Sequence, residues 1–220
     1  MDEYPAKRVY KDPSEAATYD EVRFTGPKGR LIDHLEKRAI IKALSFVSHR
    51  GMILDIACGT GRITELMLKK GYRVIGVDIS SEMIYYAQKK LTPYSNLKGI
   101  QIADGERLPF GTMRFEGAVA VRFMGHLPPK VRIQVLREMN RVSRSYVIIA
   151  YYILGATTGL GRRLKTALRK PLTPWYPGTK FQLKKELYLS GLKIKKDFSI
   201  APYLSECHIL LLEKSDCFRG

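Results

Sequence analysis

The chain has 220 residues, 45% of them hydrophobic, enough for one domain with a full core and too apolar for a disordered segment. Thirty-eight lysines and arginines against 21 acids give a net charge of +17, which points to an anionic partner such as RNA or a membrane surface. Cys58, Cys207 and Cys217 are odd in number and lack CxxC spacing, which argues against a zinc site and a disulfide framework. No metal is expected. The charged opening MDEYPAKRVYKD argues against a secretory leader, and the longest apolar run, Tyr146 to Leu154, falls short of the ~20 residues that span a bilayer. A cytoplasmic protein with reduced thiols is the simplest expectation.

Taken in order, Leu31, Leu35, Ala39, Ile40, Ala43 and Leu44 recur near helical spacing, so the segment from Pro27 to Phe46 is expected as an amphipathic helix. Strands and helices then alternate. Met52 to Ile56 reads as a strand, Arg62 to Lys70 as a helix, Arg73 to Val77 as a strand, and Ser81 to Leu91 as a helix capped by Ser80. Short apolar strands follow at Ile100 to Ala103, Gly117 to Val121 and Tyr146 to Tyr152, the last two separated by a helix from Pro129 to Arg141. Beyond Leu154 the stretch to Gly178 is rich in Gly, Pro, Arg and Thr, and reads as an irregular or partly helical insertion. A helix from Phe181 to Leu189 and two strands, Leu192 to Ile200 and Cys207 to Glu213, close the pattern as an antiparallel hairpin. The expected fold is a Rossmann-like, doubly wound α/β sheet, mostly parallel with helices on both faces. One domain is expected: cap helices over residues 1–50, a cofactor-binding core over 51–154, a basic insertion or lid over 155–180, and the C-terminal helix and hairpin over 181–220.

The run ILDIACGTGRITELMLKKGYRVIGVDIS places Gly59 and Gly61 in a strand-to-helix turn, where a missing Cβ lets a ligand approach the backbone. Asp78 follows Gly59 by 19 positions, at the end of the next strand, where an acid accepts hydrogen bonds from the hydroxyls of an adenosine ribose. The dinucleotide fingerprint fails, because Thr64 holds its third glycine position and would crowd helix against strand. Asp55, just before the turn, would repel a phosphate and suits a cation.

These residues resemble the class I S-adenosylmethionine-dependent methyltransferases, and the overall pattern is closest to the ubiquinone and menaquinone methyltransferase type. Asp55-Ile56-Ala57-Cys58-Gly59-Thr60-Gly61 is similar to the family's DxGxGxG turn, with Ala57 in the first glycine position. The resemblance implies S-adenosylmethionine as cofactor. It makes Asp78 the ribose-binding acid, Ile79 the residue flanking adenine, and Asp104 the acceptor from the adenine amino group, with Gly105 alongside. Val121 to Leu127 corresponds to the loop that holds the methionine part and the substrate, which brings in Arg122 as a cofactor contact. Arg23, in a segment that folds over the cofactor in similar enzymes, would pair with the methionine carboxylate.

His126 in that loop is the candidate catalytic base, since a neutral imidazole can take the acceptor's proton; the competing reading is a residue that only lines the site. The loop lacks the Asn/Asp-Pro-Pro-Tyr/Phe sequence of base amino-methylating relatives, and no Pro-Cys nucleophile occurs. The expected acceptor is a small or lipid-like metabolite. Two alternatives stay open: an RNA methyltransferase using the basic run from Leu160 to Lys196, and a non-catalytic regulatory protein that binds the cofactor. Within that run Leu160, Leu164, Ala167 and Leu168 share a side against Arg162, Arg163, Lys165, Arg169 and Lys170, the pattern of a basic amphipathic helix able to rest on a membrane.

Overall fold

The structure, a computed structural model, describes residues 26–154, 175–200 and 206–215. Helix α1 (Pro27–Leu44) precedes an alternation of β1 (Met52–Ile56), α2 (Arg62–Lys69), β2 (Arg73–Asp78), α3 (Ser81–Leu91), β3 (Leu97–Ile102) and β4 (Phe115–Ala120). A single 3-10 turn at Met124–His126 leads into α4 (Pro129–Val142), β5 (Ser143–Tyr152), α5 (Lys180–Leu189), β6 (Leu192–Ser199) and β7 (Cys207–Lys214). Helix ends follow local chemistry. Ser80 accepts the Met83 N–H and starts α3, Pro129 occupies the first turn of α4 where no donor is needed, and Thr179 with Gln182 forms a reciprocal capping box on α5.

The seven strands form one sheet in the order β3-β2-β1-β4-β5-β7-β6. β1 to β5 run parallel; β7 is antiparallel to both β5 and β6, as the expected hairpin requires. Each face of the sheet is covered. On one side Ile40, Ala43 and Leu44 of α1, Ile63 and Met67 of α2, and Ala87 and Leu91 of α3 pack on Ile53, Val74, Val119, Ile148, Ile209 and Leu211. On the other, Val135, Leu136 and Met139 of α4 and Leu183 and Leu187 of α5 pack on Leu54, Ala118, Val147, Leu210 and Leu212. A parallel sheet buried on both faces explains why the central strands read as continuous apolar runs rather than alternating ones.

Strand order reverses between β1 and β4. Loops leaving the carboxyl ends of these two strands must diverge to opposite faces, which opens a crevice there. Among the described residues no helix is long and apolar enough to cross a membrane.

Candidate active site

That crevice is lined by Asp55, Ala57, Cys58, Gly59, Thr60, Arg62, Ile63, Val121 and Arg122. The turn after β1 is built from left-handed residues: Ala57 at φ 54°, Gly59 at 55° and Gly61 at 83°. At Gly61 an added Cβ would lie 2.5 Å from Leu91 Cδ1, so α3 requires a glycine there as well. Ala57 bears the strain that glycine would avoid. The Cys58 N–H donates to Val77 O at 3.0 Å and Gly61 N–H to Cys58 O at 3.0 Å, fastening the turn between β1 and β2.

Two buried acids flank it. Asp78, 8% exposed, accepts the Gly59 N–H on Oδ2 at 2.8 Å and the Ser80 N–H on Oδ1 at 3.0 Å. Each carboxylate oxygen has a further lone pair, so this anchoring is compatible with hydroxyl donors from a ligand. Burial raises its pKa against the backbone bonds that lower it. Asp55, 1% exposed, is pushed up to about 7, first by burial and also by the Asp78 charge. Thr64 Oγ1 donates to Asp55 Oδ2 at 2.6 Å and opposes that rise. Thr64 therefore does not crowd the helix as its position suggested. It replaces a close glycine contact with a hydrogen bond to the acid. The same burial, with both acids nearby, holds the Cys58 thiol well above its ordinary value, so it stays protonated.

Ile79 lies between Asp78 and the α3 cap. Asp104 and Gly105 come alongside because the Ala103 N–H donates to Asp78 O at 2.9 Å. Asp104 Oδ1 accepts the Glu106 N–H at 3.0 Å, and an added Cβ at Gly105 would sit 3.2 Å from Ile56 Cγ2 and 3.3 Å from Phe123 Cε1. Arg23 lies outside the described residues.

Arg122 takes a left-handed backbone, φ 58°, just past Val121, which follows the end of β4, a conformation that non-glycine residues adopt at a cost and that concentrates at functional sites. Its Nε donates to both oxygens of Glu36 at 3.0 and 3.1 Å, and Arg62 Nη2 donates to Glu36 Oε2 at 2.6 Å. Arg62 also bonds Asp33. Glu36 is 1% exposed on the inner face of α1, so this helix is bound by charge to both lips of the crevice. The network did not emerge from the sequence. Its one signal is an acid inside the apolar stripe that runs from Leu35 to Ala43.

His126 lies beyond Arg122 in the 3-10 turn, is 5% exposed, and does not line the crevice. Its ring meets Trp175 edge-on at 4.8 Å, and Trp175 meets Tyr152 at 4.4 Å. The indole lies over Gly125, where a Cβ would approach to 2.5 Å. The Tyr176 N–H donates to Gly125 O at 2.7 Å. Arg132, 2% exposed, donates to Tyr176 O at 2.6 Å and in a fork to Glu186 at 2.7 and 3.0 Å, with Tyr151 Oη–H donating to the same carboxylate. The structure thus gathers Asp55, Ala57, Cys58, Gly59, Gly61, Asp78 and Arg122 around one turn, and sets His126 in a separate aromatic box. Among the described residues no cluster of His, Cys, Asp and Glu could hold a metal ion.

Residues 53–145 match the model of a family described as "Methyltransferase domain". The match covers under half of the chain, and over that stretch the chain is similar to methyltransferases. The demethylmenaquinone methyltransferase of Symbiobacterium thermophilum is similar at 35% identity over 41% of this chain and 37% of its own length. A ribosomal RNA small subunit methyltransferase of Arabidopsis thaliana is similar at 33% identity over 41% of this chain and 24% of its own. The chain therefore spans well under half the length of these curated relatives. Among solved structures, the magnesium protoporphyrin IX methyltransferase of Synechocystis with bound S-adenosylhomocysteine shares the fold, with a TM-score of 0.76, 18% identity, and coverage of 95% of this chain and 100% of that one.

Proposed function

We propose that the protein transfers the methyl group of S-adenosylmethionine to a small or lipid-like acceptor. The observation that carries this reading is the pair of buried acids, Asp55 and Asp78, on either side of a left-handed turn. The residues fit the group: the turn offers backbone without obstructing side chains, and two carboxylates suit a cationic nucleoside while repelling a phosphate. Asp78 would hold the ribose, Ile79 and Asp104 with Gly105 the adenine, and Asp55 the amine end; Arg122, with Arg23, would take the carboxylate. S-adenosylmethionine, when bound, supplies a methyl carbon made electrophilic by sulfonium.

The chain's own contribution is positioning. Holding acceptor and methyl within about 3 to 3.5 Å in line is worth roughly 7 to 11 kcal/mol for well-oriented pairs. His126 is edge-on to Trp175, which in turn meets Tyr152; a place in this aromatic box, apart from the crevice, favours lining of the acceptor side over the role of an open base and supports a lipid-like acceptor. A cytosolic location, with Cys58 and Cys207 as free thiols, belongs to the same reading. The RNA reading rests on the basic charge and on the similarity to a ribosomal RNA methyltransferase.

Calorimetry with S-adenosylhomocysteine tests the cofactor assignment. Asp78→Ala should weaken binding by about 1.5 to 3 kcal/mol, the scale of hydrogen bonds to a charged group; unchanged affinity refutes it. Labelled cofactor incubated with fractionated extract then tests the acceptor, and label entering RNA instead of lipid or small metabolites would overturn that half of the proposal.

A further inference from the structure

Helix α5 is apolar on two sides. Leu183 and Leu187 face the core, while Phe181 is 77% exposed, Tyr188 63% and Leu189 37% on the opposite side. A helix resting on a sheet and facing water needs apolar residues on one stripe only. The outward set recurs at i, i+7 and i+8, and Lys184 and Lys185 fill the turn between, both exposed, with Lys180 at the start. Ile194 of β6 extends the patch: it pairs with Leu212, whose side chain lies in the cluster under α5, and it is 40% exposed.

Helix α4 adds charge of the same sign. Arg137 donates to Leu189 O at 3.0 Å, which places α4 beside α5, and both Arg137 and Lys130 are exposed. The acids of these two helices are engaged. Glu186 is buried in the fork with Arg132, and Glu138 is paired with Arg141; on the neighbouring strand Asp197 faces His208. The face therefore presents five exposed cations around four apolar side chains, with the carboxylates of its two helices, Glu138 and Glu186, each paired to an arginine.

We propose that the α4–α5 face docks on an anionic lipid surface. Lysines and arginines near such a surface gain electrostatically, and apolar side chains between them gain by entering the headgroup boundary. Charge alone would serve a nucleic acid equally well. Leu189 and Ile194 decide for lipid, because aliphatic side chains cannot stack on bases but are stabilised in the acyl boundary. The face also adjoins the aromatic box: Trp175 lies just before the Thr179 cap of α5 and touches His126, so docking would bring a membrane-held amphiphile to the acceptor side. This last step rests on the proposed methyl transfer to a lipid-like acceptor; the docking itself does not.

The test uses the full chain and vesicles of phosphatidylcholine with and without phosphatidylglycerol as the anionic lipid, read by co-sedimentation. Binding should require phosphatidylglycerol and weaken with salt. Lys184→Gln with Lys185→Gln should weaken it about 25-fold, at roughly a fivefold factor per lost cation. Phe181→Ser should weaken it at least about tenfold, as a ring that no longer enters the boundary. Both positions are exposed, so unfolding midpoints and S-adenosylhomocysteine affinity should not change, and loss of cofactor binding in the wild type would count against the methyltransferase reading alone. Equal binding to both vesicles, variants that bind like the wild type, or capture of an RNA oligonucleotide with no vesicle binding each overturns the proposal.

Discussion

Glu36→Gln examines whether charge holds α1 across the crevice. The carboxylate is 1% exposed and receives Arg62 at 2.6 Å and Arg122 at 3.0 Å. Removing one partner of a buried ion pair costs about 3 to 5 kcal/mol. Three features reduce that here. The amide keeps an acceptor oxygen, Arg62 retains Asp33, and the two arginine side chains are 12% and 19% exposed, so water recovers part of the loss. The expected cost is therefore about 2 to 3 kcal/mol, which for a chain of this size lowers the thermal midpoint by roughly 4 to 12 °C. Urea unfolding should show a lower midpoint with an unchanged slope. In a double-mutant cycle with Arg122→Met, a coupling of at least about 1 kcal/mol is expected for groups in direct contact. A second readout separates positioning from stability: S-adenosylhomocysteine should bind more weakly while 5′-methylthioadenosine, which lacks the amino-acid end, is unaffected. A midpoint within about 1 °C of wild type, together with equal changes for both ligands, refutes the reasoning.

Asp55 gives a pH dependence. Its folded pKa, about 7, lies above the ordinary carboxyl value, so between them the folded chain binds the extra proton and stability falls as pH rises from about 4 to 7. A bound cation favours the ionised acid. Cofactor affinity should thus increase with pH up to about 7 and proton release should make the binding heat depend on buffer near pH 6; Asp55→Asn should abolish both. Ala57→Gly should stabilise by about 0.5 to 1 kcal/mol in urea unfolding, since a left-handed alanine costs about 1 to 2 kcal/mol and glycine's unfolded-state entropy returns part of that. Gly125→Ala must displace the Trp175 ring; unfolding should show a loss of about 1 to 3 kcal/mol, and methyl transfer should fall more than S-adenosylhomocysteine affinity.

Local spacing carried most of the fold. The turn residues and Asp78 lie within one strand-helix-strand unit, so their chemistry is written in a single stretch and the structure brings them together as that stretch implies. β3 was placed late, at Ile100, whereas it begins at Leu97. As an edge strand with Lys98, Gln101 and Ile102 exposed, it lacks the apolar run that marks its neighbours. Contacts across distant segments were illegible for a different reason. Glu36 meets Arg62 and Arg122 from 26 and 86 residues away, and nothing in a one-dimensional pattern relates them beyond an acid placed in an apolar stripe. The same holds for His126 and Trp175, whose edge-on contact is made across 49 positions of sequence beside the Arg132–Glu186 fork and the Tyr176 contact. Thr64 is the converse case: its position implies crowding of helix against strand, but its hydroxyl finds a partner in Asp55.

β7 lies between β5 and β6, and Ile209, Leu210, Leu211 and Leu212 are all fully buried. The sheet is thus completed from inside, by a strand that is synthesised after both of its neighbours. During translation the half that carries the glycine turn can assemble while β5 still exposes an open hydrogen-bonding edge. Until the β7 residues leave the ribosome, β6 lacks the strand it pairs with, and a ribosome stalled before Cys207 would release a chain with an adhesive flank.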